Sequence, residues 1–439
     1  MHIDFTVPAG RIKPMHAVNN APMYWSFCDA FRYLTEANVP YARLHDTGGL
    51  LGGGIFVDVA NIFPLFHADP EDPANYEFGF TDHLLRELCA AGVKPFYRLG
   101  CTIENYHPSI GPRRSIPPAD PHKWAVICEH IIRHYNEGWA DGYRMGIEYW
   151  EIWNEPDNEP VAEQNPMWKG TMEEFFTLYE VTANHLKTCF PRLKIGGYAS
   201  CGFYAVLNAG VATHANVSER YDYFVEFFEK FLVHITSAGH CAPLDFFSWH
   251  SYAGVQENLA FAAYARKMLD RFGFTGTESI LNEWNPGIHR RGTLADASQI
   301  GAMMAAMQDS SADLLMYYDA TIESSYGGMF DPMTRTPFKA YYAFRAWGEL
   351  YRLGTQYAIE GAREGNRLSD TLYAVAAADA DDRALLLVNV GGEAAILAPH
   401  GRWTVCVLDG EHDLEPVGEV CGGDAVTVPT EGLLLLRSV

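Results

Sequence analysis

The sequence predicts an α/β protein in which a closed (β/α)₈ barrel is followed by a smaller C-terminal antiparallel β-sandwich. Between about residues 14 and 350, eight short β-like runs alternate with amphipathic helical runs, and eight parallel strands are the number that closes such a barrel. After about residue 352 the helical signal fades, and short apolar runs alternate with turn-rich pieces. The chain of 439 residues is long enough for both parts.

The predicted barrel strands are short runs rich in β-branched, aromatic and other apolar residues. They cover residues 15–18, 41–45, 94–99, 148–153, 193–198, 245–250, 279–283 and 314–318. Helical segments lie between them, the first of which is predicted over residues 25–39. Several of these segments end in Gly with a basic residue nearby, which is typical of helix C-termini. We therefore assign residues 14–350 to a TIM-type barrel.

Strand-like runs after the barrel define the second predicted domain. These runs are TLYAVAAA, RALLLVNV, WTVCVLDG and AVTVPTEGLLLLRSV, and they are separated by pieces rich in Gly and Asp. We expect residues 351–439 to form the β-sandwich. The N-terminal segment, residues 1–13, is also strand-like and is expected to join this sandwich before the chain enters the barrel.

Composition and charge narrow the classes of function. A formal net charge of −23 argues against nucleic-acid and anionic-membrane partners, whereas a neutral substrate is compatible with it. The nine cysteines are scattered without a Cys-x-x-Cys pair, and neither a signal peptide nor a membrane span is evident. We therefore expect a cytoplasmic protein that needs neither metal nor cofactor. The sequence leaves the oligomeric state open, a homo-oligomer included.

Polar residues recur where the predicted barrel strands end, which is where this fold collects its functional groups. Two carboxylates, Glu155 after the fourth strand and Glu283 after the seventh, emerge from nearly opposite sides of the barrel mouth. Cleavage of a glycosidic bond needs one carboxyl group to protonate the leaving oxygen and another to stabilise or attack the anomeric carbon. The remaining candidates at strand ends are Arg43, His45, Asn154, His250, Tyr252, Trp284 and Tyr318.

Two motifs around these carboxylates resemble known signatures. The motif WEIWNEP, which contains Glu155, resembles the strand-four signature of clan A glycoside hydrolases, and ILNEWN, which contains Glu283, resembles their strand-seven signature. Together with LKIGGY and DFFSWHSY, the longer form EIWNEPDN is most similar to glycoside hydrolase family 39. That family includes β-xylosidases and α-L-iduronidases. The resemblance covers roughly residues 40–320.

The resemblance implies a retaining glycoside hydrolase that acts on an oligosaccharide or glycoside. Glu155 would be the acid/base, Glu283 the nucleophile, and Asn154 would bond the 2-hydroxyl of the sugar. The implied specificity is that of a β-xylosidase, a related β-glycosidase or an α-L-arabinofuranosidase. The long Gly-rich loop at about residues 46–78 is expected to wall the pocket, which favours exo action.

The resemblance also implies supporting roles around the two carboxylates. His250 and Tyr252 would lie beside the nucleophile and hold it ionised by hydrogen bonding. Arg43 would support that carboxylate from below, and His45 would reach the sugar in the innermost subsite. We expect Trp284, which directly follows the nucleophile, to be a platform for the sugar ring.

The sequence departs from the family pattern near the innermost subsite. Asp46 stands where many members have Gly and is followed by TGGLLGGG, and Tyr318 stands where the clan usually has Trp. Asp46, Asp319 and Glu323 are candidate polar contacts to substrate. Because these positions shape the subsite, the identity of the sugar stays open.

Two other classes of function compete with the hydrolase. In a catalytically silent carbohydrate-binding barrel the two carboxylates would have no chemical task, and their Asn and Trp neighbours argue against such decay. A metal-dependent barrel hydrolase normally needs a His-x-His pair after the first strand. The first strand here offers only His16.

Overall fold

The chain forms a barrel and an antiparallel sheet in the computed structural model, which describes residues 2–24, 28–45, 57–103, 114–207, 219–322 and 327–439. The first strand, β1 (Ile3–Arg11), belongs to the antiparallel sheet. Two short strands, β3 (Met23–Tyr24) and β4 (Cys28–Asp29), pair with each other. The barrel strands are β2 (Ala17–Asn19), β5 (Tyr41–Leu44), β6 (Lys94–Leu99), β7 (Tyr149–Ile152), β8 (Lys194–Ser200), β9 (Phe246–His250), β10 (Glu278–Trp284) and β11 (Leu314–Tyr317).

The eight barrel strands close in chain order, since each is parallel to the next and β11 pairs with β2. Their side chains are almost all buried, which explains why the strands appear in the sequence as apolar runs. A layer of side chains from the strands fills the barrel interior, namely Ala17, Phe96, Tyr149, Phe246, Ile280, Leu314 and Met316. The barrel is therefore a packed core, and the predicted TIM-type fold is confirmed.

Helices cover the outside of the barrel. They are α1 (Arg32–Glu36), α2 (Val59–Ile62), α3 (Gly79–Ala90), α4 (Pro121–Asn136), α5 (Met172–Cys189), α6 (Glu219–Thr236), α7 (Val255–Arg271), α8 (Leu294–Met307) and α9 (Lys339–Leu353). Local signals start several of them: Asp120 accepts from two backbone N–H groups at the start of α4, and Thr171 and Glu174 form a capping box at α5. None of the helices in the described ranges has the length and apolar character needed to cross a membrane.

The second domain is an antiparallel sheet of seven strands in the order β1-β12-β13-β14-β19-β16-β17, with a two-stranded sheet, β15-β18, beside it. Its strands after the barrel are β12 (Thr355–Ile359), β13 (Leu372–Ala378), β14 (Arg383–Asn389), β15 (Ala394–Leu397), β16 (Arg402–Leu408), β17 (Asp413–Cys421), β18 (Ala425–Val428) and β19 (Leu433–Ser438). We keep residues 14–350 and 351–439 as the proposed domain boundaries.

The central strands of the seven-stranded sheet, β13, β14 and β19, are buried on both faces. On one face, Val388 and Leu433 pack so closely against α8 that a Cβ added at Gly301 would lie 3.1 Å from each of them. On the other face, Leu385 and Leu387 join a separate cluster that includes Val426 of the small sheet. The barrel and the sheet therefore share one continuous hydrophobic core.

Candidate active site

A cavity of about 510 Å³ lies at the C-terminal ends of the barrel strands. This volume falls within the range of about 300–1,000 Å³ that is usual for small-molecule sites. Its described lining combines carboxylates, histidines and aromatic rings: His45, Ile103, Glu155, Asn158, Cys201, Tyr204, Arg220, Tyr221, Phe224, His250, Tyr252, Glu283 and Tyr318. The strand ends thus meet at one site, as the barrel fold requires.

The turn after β7 aims Glu155 into the cavity. Trp153 and Glu155 both have left-handed backbone, with φ of 73° and 48°. Such a conformation costs about 1–3 kcal/mol for a residue other than glycine, and it persists only where the surroundings enforce it. Two hydrogen bonds to neighbouring strands do so, from Trp153 N–H to Leu99 O at 2.7 Å and from Glu155 N–H to Ala199 O at 3.1 Å.

The carboxylate of Glu155 has a partner on each oxygen. His250 Nδ1 lies 2.7 Å from Oε1, and Asn158 Nδ2 donates to Oε2 at 2.7 Å. Burial raises the pKa of Glu155, but the hydrogen bond and charge of His250, together with the Asn158 hydrogen bond, lower it by more. The net result is a pKa below the ordinary value of a glutamate.

Glu283 lies at the end of β10 and faces Glu155. Tyr252 Oη donates to its Oε1 at 2.5 Å, and Arg43 Nη1 approaches its Oε2 at 3.4 Å. Burial and the negative charge of Glu155 raise the pKa of Glu283, while His250, Arg43 and Tyr252 lower it by less. The pKa of Glu283 is therefore above its ordinary value in the free cavity.

His250 lies between the two carboxylates. Its Nδ1 is 2.7 Å from Glu155 and 3.5 Å from Glu283. Oxygen atoms of both glutamates and a ring nitrogen of His250 all lie within 4.8 Å of one another. Burial lowers the pKa of His250, but the two facing carboxylates raise it by more. His250 was expected beside the nucleophile, whereas its short contact is with Glu155.

Arg43 organises the carboxylates from a fully buried position. Its Nε donates to Glu151 Oε2 at 2.7 Å, and its Nη2 donates to Asn154 Oδ1 at 2.6 Å. Its Nη1 contacts Asn19 Oδ1 at 3.1 Å as well as Glu283. The side chain of Arg43 has no exposed surface and is not part of the described lining of the cavity, so it lies beneath the carboxylates, on the side where it was expected.

The other predicted residues divide into two groups. His45 and Tyr318 line the cavity, as does Tyr252. Asn154 is buried next to it, held through its Oδ1 by Arg43. Trp284 does not face the cavity: it is fully buried and packs edge-on against Tyr317, with ring centroids 5.6 Å apart. The prediction that Trp284 is a sugar platform is therefore wrong in this structure, since no part of the ring is accessible.

Three residues near Glu155 were not predicted as site residues. Arg220 donates to Asn158 O at 2.6 Å and to its Oδ1 at 2.9 Å, and so fixes the side chain that bonds Glu155. Asp157 is buried, and its burial raises its pKa to about 7. Asn158 and Asp157 stand in the EPDN motif and could have been found there, whereas Arg220 has no motif around it.

The candidate polar contacts near the innermost subsite are only partly described. Asp46 and Glu323 lie outside the described residues, as does the first part of the loop at about residues 46–78. Asp319 is buried, and its Oδ2 accepts from Asn20 Nδ2 at 2.7 Å. The partner of Asp319 is therefore a residue that directly follows β2, the first strand of the barrel.

Known relatives match a part of this chain. Two β-xylosidases are similar to it, one from Geobacillus stearothermophilus with 29% identity over 167 residues and one from Caldicellulosiruptor saccharolyticus with 27% over 136 residues. These matches cover 34% and 29% of this chain. They cover only 30% and 26% of the relatives' own length, so the chain matches less than a third of either relative.

Solved structures match over nearly the whole chain. A glucosidase from Croceicoccus marinus superposes with a TM-score of 0.77 at 22% identity and covers 98% of this chain and 97% of its own. A family 39 β-xylosidase from Caulobacter crescentus gives a TM-score of 0.68 at 15% identity, covering 100% and 99%. At these identities the structures support the fold alone. The model of glycosyl hydrolases family 39 matches residues 35–278, more than half of the sequence, and the chain belongs to that family.

Proposed function

We propose that the protein is a retaining glycoside hydrolase that removes one sugar from the end of a glycoside by double displacement. The observation that carries this proposal is the approach of Glu155 and Glu283, whose oxygens lie within 4.8 Å of each other in one cavity. Retaining glycosidases keep their carboxyl groups about 5–5.5 Å apart, whereas inverting ones need about 6.5–9.5 Å to admit water. The observed spacing favours direct attack by a carboxylate.

The role of Glu155 as acid/base requires a proton on it when substrate is bound. In the free cavity the pKa of Glu155 is lowered and the pKa of His250 is raised. The proton that the reaction needs is therefore held on His250, whose Nδ1 lies 2.7 Å from Glu155 Oε1. A bound glycoside excludes water, and a buried ion pair is costly without water. Transfer of the proton from His250 to Glu155 then yields a neutral pair and a general acid.

The role of Glu283 as nucleophile requires the ionised form. Tyr252 and Arg43 donate to its two oxygens and favour that form. Transfer of the proton from His250 to Glu155 removes the positive charge that lowers the pKa of Glu283 together with the negative charge that raises it. After the transfer, the donors that favour ionised Glu283 are Tyr252 and Arg43. The two carboxylates thus acquire different protonation states as a coupled pair.

The proposed reaction has two steps. Glu283 attacks the anomeric carbon while Glu155 protonates the departing oxygen, which yields a covalent glycosyl-enzyme and the released alcohol. Glu155 then removes a proton from water, the water oxygen attacks the anomeric carbon, and the carboxylate of Glu283 leaves. Two inversions at one carbon give net retention.

The substrate that fits this cavity is a neutral sugar. Asn154 Nδ2 is buried without a hydrogen-bond partner among the described residues, and a 2-hydroxyl group would satisfy it. The rings of Tyr204, Tyr221 and Phe224 offer apolar faces for the C–H surface of a sugar. With β-xylosidases and a glucosidase among the similar proteins, we propose a β-xyloside, a related β-glycoside or an α-L-arabinofuranoside as substrate.

A panel of nitrophenyl glycosides tests this proposal. We expect turnover with one of these sugars and a loss of several orders of magnitude in Glu283→Ala, which azide restores as a glycosyl azide of inverted configuration. Glu278→Ala is the matched control because Glu278 lies at the other end of β10, paired with Lys194, and full turnover is expected.

Absence of turnover on every sugar would support a silent binding barrel. Loss of turnover on addition of a chelator would support a metal-dependent enzyme built on Glu155, His250 and Glu283.

A further inference from the structure

Potential metal ligands converge at three places in the described part of the chain. One set is the active-site trio discussed above. A second set joins Glu129 to His185 and Cys189, but Arg133 donates to the same carboxylate at 2.7 Å, so a cation there would face a guanidinium group. The third set carries no such positive charge.

We propose that this third set, Glu180, His234 and His240, is a binding site for a zinc-type divalent cation on the outside of the barrel. His234 Nε2 and His240 Nδ1 lie 2.8 and 3.0 Å from the same Glu180 Oε2. Two neutral imidazoles and one carboxylate form a donor set that Zn²⁺ favours. Within the described residues, Glu180 has no ion pair with Lys or Arg.

Both imidazole nitrogens lie near the carboxylate oxygen at separations close to those of an occupied site, and the three ligand atoms all lie within 4.8 Å of one another. Ligand bonds of about 2.0–2.2 Å in a tetrahedral zinc site place the ligand atoms roughly 3.4 Å apart. The observed separations of 2.8 and 3.0 Å need to open by about half an ångström. The side chain of His240 is 55% exposed, whereas Glu180 and His234 are each 18% exposed. Solvent therefore reaches the site, which leaves an entry path and room for a water as fourth ligand.

Three elements supply the ligands, and they are already held together. Glu180 lies on α5, His234 in the last turn of α6, and His240 in the connection from α6 to β9. One turn after Glu180, Asn184 Nδ2 donates to Cys241 O at 2.9 Å, which fixes this connection on α5. A preorganised site loses less conformational entropy when it binds.

The consequence of occupancy would be structural. A bound ion would join two outer helices to the connection that leads into β9, the strand that ends at His250. Binding to the folded state alone raises the free energy of unfolding with cation concentration. The net charge of −23 further favours the approach of cations.

Zinc titration of the chelator-treated full chain tests the proposal, in a Glu283→Gln background that disables the active-site trio. Calorimetry should show one Zn²⁺ per chain at this site, with a thermal midpoint that rises on addition of zinc. His240→Ala and Glu180→Gln should each weaken binding at least tenfold and abolish the rise. His185→Ala, which disrupts the second set, should leave both readouts unchanged. Because His240 is largely exposed, its variant should keep the midpoint of the parent protein in the presence of chelator.

The neighbouring exposed Cys241 provides a further control. Cobalt bound to two imidazoles and a carboxylate gives visible d–d bands without the near-ultraviolet thiolate band, and Cys241→Ser should not alter them. Retention of zinc binding in both His240→Ala and Glu180→Gln would overturn the proposal. Loss of binding in Cys241→Ser, or the absence of a zinc-induced rise in the parent chain, would do the same.

Discussion

His250 contacts the carboxylates of both Glu155 and Glu283, and this arrangement governs the protons of the site. A buried imidazole normally loses its proton, but two facing carboxylates raise its pKa. Each of the three groups therefore depends on the charge of the others, and the site titrates as one unit. The contribution of each residue can be distinguished only when bound substrate or a substitution changes the charge of one of the three groups.

For Glu155 we expect an effect that depends on the leaving group. Glu155→Ala should reduce kcat/KM on alkyl glycosides, which need protonation, far more than on dinitrophenyl glycosides, which need little. Rates measured for a series of leaving groups of different pKa give a steeper dependence in the variant. Equal losses on all leaving groups would refute the acid/base role.

For Tyr252 we expect a shift in the pH profile. Its hydrogen bond stabilises ionised Glu283 and so lowers the pKa of that carboxyl, and its removal in Tyr252→Phe raises this pKa further. Since Glu283 must be ionised to attack, activity is lost as pH falls through its pKa, and the acid limb of kcat/KM should move to higher pH. A hydrogen bond to a charged group contributes about 1.5–3 kcal/mol, so its loss corresponds to roughly a 10- to 160-fold loss of rate.

The control for this prediction is Tyr221→Phe, which removes another hydroxyl from the same cavity. Its acid limb should stay where the parent enzyme has it. An acid limb that moves to lower pH in Tyr252→Phe, or does not move, would contradict the assignment of Tyr252.

Residue-scale roles were only partly predictable from sequence. Glu155 follows β7 and Glu283 lies at the C-terminal end of β10, so the strand pattern brings them together at the mouth of the barrel. Trp284 was misassigned because neighbouring residues of a strand point to opposite faces: when Glu283 faces the cavity, Trp284 faces the helix layer. Arg220 reaches the site from the first turn of α6, and no local pattern in the sequence indicates that approach.

At the scale of elements, the barrel strands are linked by buried polar contacts as well as by backbone pairing. Arg43 on β5 binds Glu151 on β7 and Glu283 on β10. Glu151 is itself fully buried and also accepts from Ser248 Oγ on β9 at 2.6 Å. The network joins strands that lie far apart around the barrel.

Removal of Arg43 should destabilise the barrel. Arg43→Met keeps the length of the side chain but leaves Glu151 buried without its cation, which costs about 3–5 kcal/mol. Urea unfolding should show this loss in the free energy of unfolding. The matched control is Arg402→Met, an exposed partner of Glu419, where about 0–1 kcal/mol is expected. Equal effects of the two variants would contradict the structural role of Arg43.

Predictability also differed between elements. The strand predicted over residues 94–99 coincides with β6, because strands buried on both sides appear as distinct apolar runs. Within residues 28–39, the described part of the helix predicted over residues 25–39, the helix is α1 at Arg32–Glu36, and it is preceded by β4, which pairs with β3. Aromatic residues in that segment satisfy both a helix period and a strand, so periodicity could not separate the two.

At the scale of the whole molecule, the antiparallel sheet is part of the barrel's support. Leu386 is 1% exposed and belongs to the hydrophobic cluster that includes the barrel helices. Leu385, its neighbour on β14, belongs to the other cluster, because successive side chains of a strand alternate between faces. If the sheet detached from the barrel, the outer surfaces of α8 and α9 would therefore be exposed to solvent.

Leu386→Ala should weaken the entire protein. Removal of a buried leucine costs about 2–5 kcal/mol, and we expect the midpoints of heat inactivation and of unfolding by circular dichroism to fall together. Leu397→Ala is the control, since Leu397 on β15 is 55% exposed and should change little. Unfolding of the sheet at a lower temperature than the loss of activity would contradict the conclusion that the barrel and the sheet share one core.

The central claim is that Glu283 forms a covalent glycosyl-enzyme intermediate, and trapping this intermediate tests the claim most directly. A 2-deoxy-2-fluoro glycoside with a good leaving group, of the sugar selected by the nitrophenyl panel, slows breakdown of the intermediate more than its formation. Mass spectrometry of the digested protein should find one fluorosugar per chain, attached to the peptide ILNEWN at Glu283. A label on another residue, or rapid turnover without any label alongside inverted product, would contradict the account.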